Sequence, residues 1–174
     1  EKRKQDLQVY FALGLFEKRK TQVQVPDGLK RDIKAFYNSY NEALEDANEA
    51  LFSVGNPAII QDICEKAYAT LECGEMISGH SYTFHKDRLD EVPSLLRIYI
   101  GCATQLYGDL EDIQLIKAHI RSGKVSFMGY DDWKKPIPCL TERIKIKMRE
   151  QDIDFFDYSE KYQPQPLLNK NIFR

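Results

Sequence analysis

Apolar residues in the first two thirds of the chain recur at spacings of three and four, the period of an amphipathic helix. The longest apolar stripe runs from Leu29 to Leu51 and stops at the sequence Gly55-Asn56-Pro57. Glycine and proline end helices because one favours a left-handed backbone and the other lacks an N–H donor. The pattern therefore predicts four helices, over residues 3–17, 27–54, 58–71 and 93–107.

Beyond residue 112 the spacing of apolar positions changes to two, which is typical of strands. The segment 78–85 is expected to be a loop with a short extended stretch, and the proline-broken tail to lie at the edge of a sheet. Two hairpins are predicted, one pairing residues 113–120 with 125–130 and the other pairing residues 143–149 with 153–158.

These elements predict an α+β domain in which about four helices pack on a small antiparallel sheet formed by the last third of the chain. A chain of 174 residues with 43% hydrophobic side chains can bury one substantial core. The helical part is expected to span residues 1–110 and the β-rich part residues 111–174. Because the sequence begins at Glu1 and not at methionine, we expect it to be a piece of a longer protein.

Charge is distributed unevenly along the chain. Residues 42–112 hold 4 basic and 14 acidic side chains, a net charge of −10, whereas residues 117–149 hold 9 basic and 3 acidic ones, a net charge of +6. Such polarity is suited to steering a charged partner. The alternative is that the two regions neutralise each other inside the fold.

Four cysteines lie far apart, without a CxxC pair, and we expect buried, reduced thiols of a cytoplasmic protein. No apolar run approaches the ~18 residues that a membrane-spanning helix requires. No membrane partner is therefore expected.

The densest positive charge falls on the second hairpin, where Arg143, Lys145, Lys147 and Arg149 alternate with apolar residues and so share one face of a strand. Lysine and arginine on such a face can neutralise backbone phosphates, and nearby rings can contact sugars or bases. The alternative is cross-strand pairing of the lysines with Asp152 and Asp154. The candidate nucleic-acid-binding residues are Lys117, His119, Lys124, Tyr130, Trp133, Lys134, Arg143, Lys145, Lys147 and Arg149.

Evidence for catalysis in the sequence is weak, and whether the chain is an enzyme is left open. Lys117 and His119 share a strand face and could perform acid–base chemistry, together with His85 and Asp132. Each also has a plain alternative: a solvated strand face for the pair, a structural histidine for His85, and a turn or cap for Asp132. Phosphate-binding loops, nucleophile motifs and metal motifs are missing, so no metal and no cofactor within this chain are predicted.

Several segments resemble, in order, the C-terminal region of the DNA phosphorothioation-associated methyltransferases. They are DIKAFYNSYNEA at 32–43, YTFHKDRLDEVPSLLRIYIGCA at 82–103, LIKAH at 115–119, KVSFMGYDDW at 124–133 and, towards the end of the chain, the two stretches FFDYS and PLLNK. In that family an S-adenosylmethionine-binding methyltransferase domain lies upstream of this region.

The resemblance implies an accessory, DNA-engaging domain of a bacterial DNA-modification or restriction system involved in defence. It implies S-adenosylmethionine as the cofactor of the parent protein and DNA as the partner of this region. A protein-interaction domain that docks the catalytic domain or another subunit is the alternative function. In that alternative the acidic helical half would meet a basic surface, and a stable complex with the rest of the parent chain would distinguish it from DNA binding.

Overall fold

The computed structural model describes residues 1–16, 27–159 and 163–174, with the side chains of Asp27 and Leu29 left out. Five α-helices are found in these ranges, and α4 and α5 follow the predicted bounds closely. They are α1 (Lys2–Phe16), α2 (Asp27–Phe36), α3 (Tyr40–Ser53), α4 (Pro57–Leu71) and α5 (Ser94–Tyr107), with short 3-10 helices at Lys86–Glu91 and Lys170–Phe173.

Seven strands form one antiparallel sheet, so the predicted α+β class is confirmed. The first six lie side by side in chain order, and the tail strand β7 pairs with the start of β5, as expected of an edge segment. The strands are β1 (Glu75–Ile77), β2 (Ser81–His85), β3 (Leu115–His119), β4 (Lys124–Tyr130), β5 (Cys139–Lys147), β6 (Asp152–Asp157) and β7 (Gln165–Pro166).

The prediction of one unbroken helix over 27–54 is wrong, because the chain leaves the helix after Phe36 and begins α3 at Tyr40. The Ser39 Oγ accepts a hydrogen bond from the Glu42 backbone N–H at 3.2 Å, and the Glu42 carboxylate accepts one from the Asn38 N–H at 3.0 Å. A serine followed three residues later by a glutamate is a helix-start signal. The apolar stripe continues across the break, which is why the periodicity alone did not show it.

The sheet also begins earlier than predicted, since β1 and β2 come from residues 75–85 and not from the last third of the chain. Tyr82 and Phe84 of β2 are fully buried and stack on each other, with ring centroids 5.2 Å apart. Alternation over only five residues was too short to distinguish a strand from a loop. In the structure this segment is a strand because it pairs with β3, which provides partners for its backbone hydrogen bonds.

The helices cover one face of the sheet, which we call the inner face. Buried residues of α4 and α5 pack there against alternate residues of the strands, among them Phe84, Ile116, Phe127 and Ile146. A second core joins α1, α2, α3 and α5. The opposite face, called the outer face, carries the alternate residues of the same strands. Among the described residues, the C-terminal tail covers one end of it.

Candidate nucleic-acid interface

In one cross-strand row on the outer face, a serine has one lysine on each side. Register pairs Thr83 with Lys117, Lys117 with Ser126, and Ser126 with Lys145. Strands lie about 4.8 Å apart, so the two lysine backbones are separated by about 10 Å with only the small Ser126 side chain between them. Arg143 occupies the adjacent row, two residues from Lys145 on the same strand.

The two other cations act on Lys117. Burial, followed by the charge of Arg143 and then that of Lys145, lowers the pKa of Lys117, while Glu75 across the sheet opposes the shift. In the described part of the chain, Lys117, Arg143 and Lys145 form no ion pair. Among the described residues the Arg143 Nε atom has no hydrogen-bond partner, although this atom is itself buried. The arrangement therefore leaves positive charge available to an anion.

Small buried hydroxyl side chains lie on the same sheet face as these cations. Ser81, Thr83 and Ser126 are all buried although they lie on the outer face. The Nε2 atom of His119 lies 3.0 Å from Ser126 Oγ, and Nδ1 of His80 lies 2.9 Å from Ser81 Oγ, with the donor in each pair set by the ring tautomer. The site thus combines fixed cations with hydroxyl and imidazole groups that can donate hydrogen bonds.

His119 is neutral at physiological pH in this setting. Burial lowers its pKa to about 3, and the charges of Lys117, Lys145, His80 and Arg143 act in the same direction. A neutral imidazole between lysines can donate or accept one hydrogen bond but adds no charge. The positive charge of the site therefore comes from its lysine and arginine side chains and not from the imidazole.

We expect the His119 ring to show no titration between pH 8 and pH 5 by nuclear magnetic resonance. In the unfolded chain its pKa returns to 6.5, so protons bind the unfolded state first and stability is lost as the pH falls from about 6.5 towards 3. Urea unfolding at several pH values should show this loss, and His119→Gln should reduce it. A His119 signal titrating with a midpoint near 6.5 would contradict this description.

Lys147 differs from its neighbours because the return strand neutralises it. Its Nζ lies 3.5 Å from Asp152 and 3.2 Å from Asp154, and hydrogen bonding to Asp154 raises its pKa. Lys145 lies instead over the Phe156 ring, 5.9 Å from the centroid. The predicted cross-strand neutralisation therefore holds for Lys147 and not for Lys145.

Arg149 does not lie on the same face as Arg143, Lys145 and Lys147, contrary to the prediction for the strand 143–149. Strand β5 ends at Lys147, and the following turn directs Arg149 over the first hairpin, where its Nη2 donates to the Arg121 carbonyl at 3.3 Å. Arg149 borders an apolar cleft with Tyr99 and Met148, on the helical side of the sheet. Lys124 stays on the outer face, paired in register with Lys147.

The predicted aromatic residues lie at the other end of the outer face, beneath the C-terminal tail. Leu115, Met128, Leu140 and Phe173 form a small buried core there, with Tyr130 and Trp133 packed against it. Burial raises the pKa of Tyr130 to about 12. Tyr130 and Trp133 are therefore partly covered side chains and not open platforms on the bare sheet, while Lys134 is exposed beside them.

The four catalytic candidates do not come together. His85 lies four residues along β2 from Ser81, the register partner of His119, which separates the two histidines by about 13 Å at 3.3 Å per residue. His85 is buried against Trp133, and its Nδ1 accepts a hydrogen bond from the Asp87 N–H at 3.1 Å. Asp132 accepts from the Lys134 N–H at 2.9 Å in an exposed turn. His85 is therefore a structural histidine and Asp132 a turn residue, the alternatives given for them in the sequence analysis.

His80, Ser81, Thr83 and Ser126 were not identified from the sequence. The first three fall in the segment 78–85, which was predicted as a loop with a short extended stretch, and Ser126 falls in the predicted strand 125–130. The alternation of Ser81, Thr83 and His85 with Tyr82 and Phe84 was the available signal for a strand with one polar face. The pairing of β2 with β3 then places these polar residues beside Lys117 and His119.

No protein-family model, curated protein or solved structure matches this chain. The resemblance to the phosphorothioation-associated methyltransferases therefore stays a prediction. The described residues include no group of three or more metal-ligating side chains. Within the same ranges, no helix combines the length and apolar character needed to cross a membrane.

Proposed function

We propose that this chain binds DNA through the sugar–phosphate backbone, using the outer face of its sheet, as an accessory domain of a DNA-modification or restriction system. The resemblance to methyltransferases associated with DNA phosphorothioation supports DNA as the polyanion. In that setting S-adenosylmethionine would belong to an upstream catalytic domain, and this chain would supply affinity.

The observation that carries the proposal is the set of three cations, Lys117, Arg143 and Lys145, which lie close together without an ion-pair partner among the described residues. Concentrating like charges destabilises a folded protein unless an anion binds there. A phosphate backbone releases condensed counterions when lysine and arginine neutralise it, which makes such a face effective for DNA.

The test is the salt dependence of DNA binding, measured by fluorescence anisotropy with a labelled duplex between 50 and 300 mM salt. Over this range the Debye length passes through about 10 Å, so the screening of exposed charges changes strongly. The double variant Lys117→Gln/Lys145→Gln should lower the slope of log affinity against log salt by about two, one for each lost phosphate contact. Asp154→Asn should steepen the slope, because it releases Lys147 from one of its carboxylates.

The matched control is Lys2→Gln/Lys66→Gln, which changes the net charge equally but lies on α1 and α4. Its slope should stay close to that of the unmodified protein. Equal slopes for the two double variants would show that net charge alone drives binding and would remove the proposal.

A docking role is the second candidate function, and it is supported by the outward side of α3. Glu42, Glu45 and Glu49 are exposed on one stripe of this helix, followed by Phe52, which is also exposed. An acidic stripe with an exposed ring suits a basic protein surface, such as that of a catalytic domain. In the salt experiment this function predicts no response to Lys117→Gln/Lys145→Gln.

A further inference from the structure

A second positively charged cleft lies where the C-terminal 3-10 helix meets the loop that connects β4 to β5. Five residues line it: Trp133, Lys134, Lys170, Asn171 and Arg174. None of them belongs to the row on the bare sheet. The cleft is created by the tail, whose Phe173 is buried against the outer face.

The Lys170 ammonium group is held in a fixed position, and no carboxylate in the described ranges pairs with it. It donates hydrogen bonds to the backbone carbonyls of Trp133 at 2.8 Å and Lys135 at 2.6 Å. These acceptors carry no formal charge, and an ammonium group has three donors, so one N–H and the full positive charge remain for a ligand. Lys134 is exposed at the same cleft, and Arg174 is paired with Asp87 at 2.7 Å.

The Trp133 indole is positioned by rings that do not stack face to face with it. The His85 ring lies 5.0 Å away at 56° and the Tyr130 ring 5.5 Å away at 68°. These contacts fix the indole, and Trp133 is one of the residues that line the cleft. A flat, fixed ring beside uncompensated cations is suited to a ligand that has both an aromatic plane and negative charge.

We propose that this cleft binds one nucleotide unit, with its base against Trp133 and its phosphate on Lys134 and Lys170. The Asn171 amide can both donate to and accept from the edge of a base. An anion alone would make no use of the indole, and an apolar ligand would leave the lysines without a partner. A nucleotide provides both an aromatic base for Trp133 and a phosphate for the lysines.

The cleft adjoins the proposed DNA-binding face. An Arg143 Nη2 atom lies 4.0 Å from the Met128 sulfur, and Met128 packs with Phe173 and Trp133 in the small core beneath the tail. A strand that crosses the outer face could therefore place an unpaired nucleotide in the cleft. This last step depends on the proposed function, whereas binding of a free nucleotide does not.

Trp133 is the only tryptophan in the chain, so intrinsic fluorescence reports directly on the cleft. Titration with deoxyadenosine 5′-monophosphate should quench its emission in a saturable manner. Lys134→Ala should weaken this binding by about fivefold, the effect of one exposed ionic contact. Lys66→Ala, an exposed lysine on α4, is the control and should leave the titration unchanged.

Absence of saturable quenching, or equal weakening by both variants, would overturn the inference. Displacement of the nucleotide by equimolar inorganic phosphate would also overturn it, because the base would then contribute nothing. Lys117→Gln/Lys145→Gln separates the two proposals, since it should reduce duplex binding and leave mononucleotide quenching intact. Quenching without salt-dependent duplex binding would remove only the proposed function, and the reverse would remove only the cleft.

Discussion

Phe127→Ala should lower the free energy of unfolding by about 3–5 kcal/mol, whereas Phe155→Ala should change it by less than about 0.5 kcal/mol. Both residues lie in one cross-strand row on the inner face, in which Phe127 pairs with Ile144 and Ile144 with Phe155. Phe127 is 0% exposed and stacks on Tyr107, but Phe155 is 68% exposed. The same substitution in the same row therefore removes core packing in one case and almost nothing in the other.

Urea unfolding followed by circular dichroism measures both values, and a common m-value would show that the denatured state is unchanged. The cause of the contrast is that β6 lies at the edge of the sheet, while α5 packs over β4 and β5. Similar losses for the two variants would mean that another surface covers Phe155, and the architecture would need revision.

Phe173→Ala should lower the free energy of unfolding by about 3 kcal/mol, and Leu168→Ala in the same tail should have little effect. Phe173 is 3% exposed in the core formed with Leu115, Met128 and Leu140, whereas Leu168 is 78% exposed. Leu167 of the tail also packs against this core. Polar contacts hold the tail as well, among them a hydrogen bond from the Gly74 N–H to the Ile172 carbonyl at 2.5 Å.

Trp133 emission provides a second readout for Phe173→Ala. Loss of the phenyl ring should expose the indole to water and shift its emission to longer wavelength before global unfolding begins, since the two side chains share one cluster. An unshifted spectrum together with undiminished stability would show that the tail is not anchored by Phe173, and the cleft of Lys170 and Asn171 would lose its basis.

Much of the fold could be predicted because local patterns matched tertiary structure. The change of apolar spacing near residue 113 located the start of the β3–β4 hairpin after α5. Gly55-Asn56-Pro57 located the start of α4, where Asn56 caps the helix by accepting from the Ala58 N–H at 3.0 Å. The break at Ser39 was missed although its capping signal is present, because a continuous apolar stripe was given more weight than the cap.

The basic strand face was predicted correctly for Arg143, Lys145 and Lys147 but not for Arg149, and its electrostatics were left open. Alternation placed Arg143, Lys145 and Lys147 together, and sequence could not decide which of them the return strand neutralises. Asp154 pairs in register with Lys145 yet forms its ion pair with Lys147. Side-chain direction across a twisted sheet, and not register, decides that contact.

The sequence by itself determined the α+β class, the two hairpins and the presence of a lysine- and arginine-rich strand face, because these follow from residue spacing within a few turns or strand lengths. Only the tertiary structure decided that β2 joins the sheet, that Ser81 and Ser126 lie beneath the lysines, and that the tail brings Lys170 to Trp133. Each of these contacts joins residues far apart in the chain, so no local pattern could contain them.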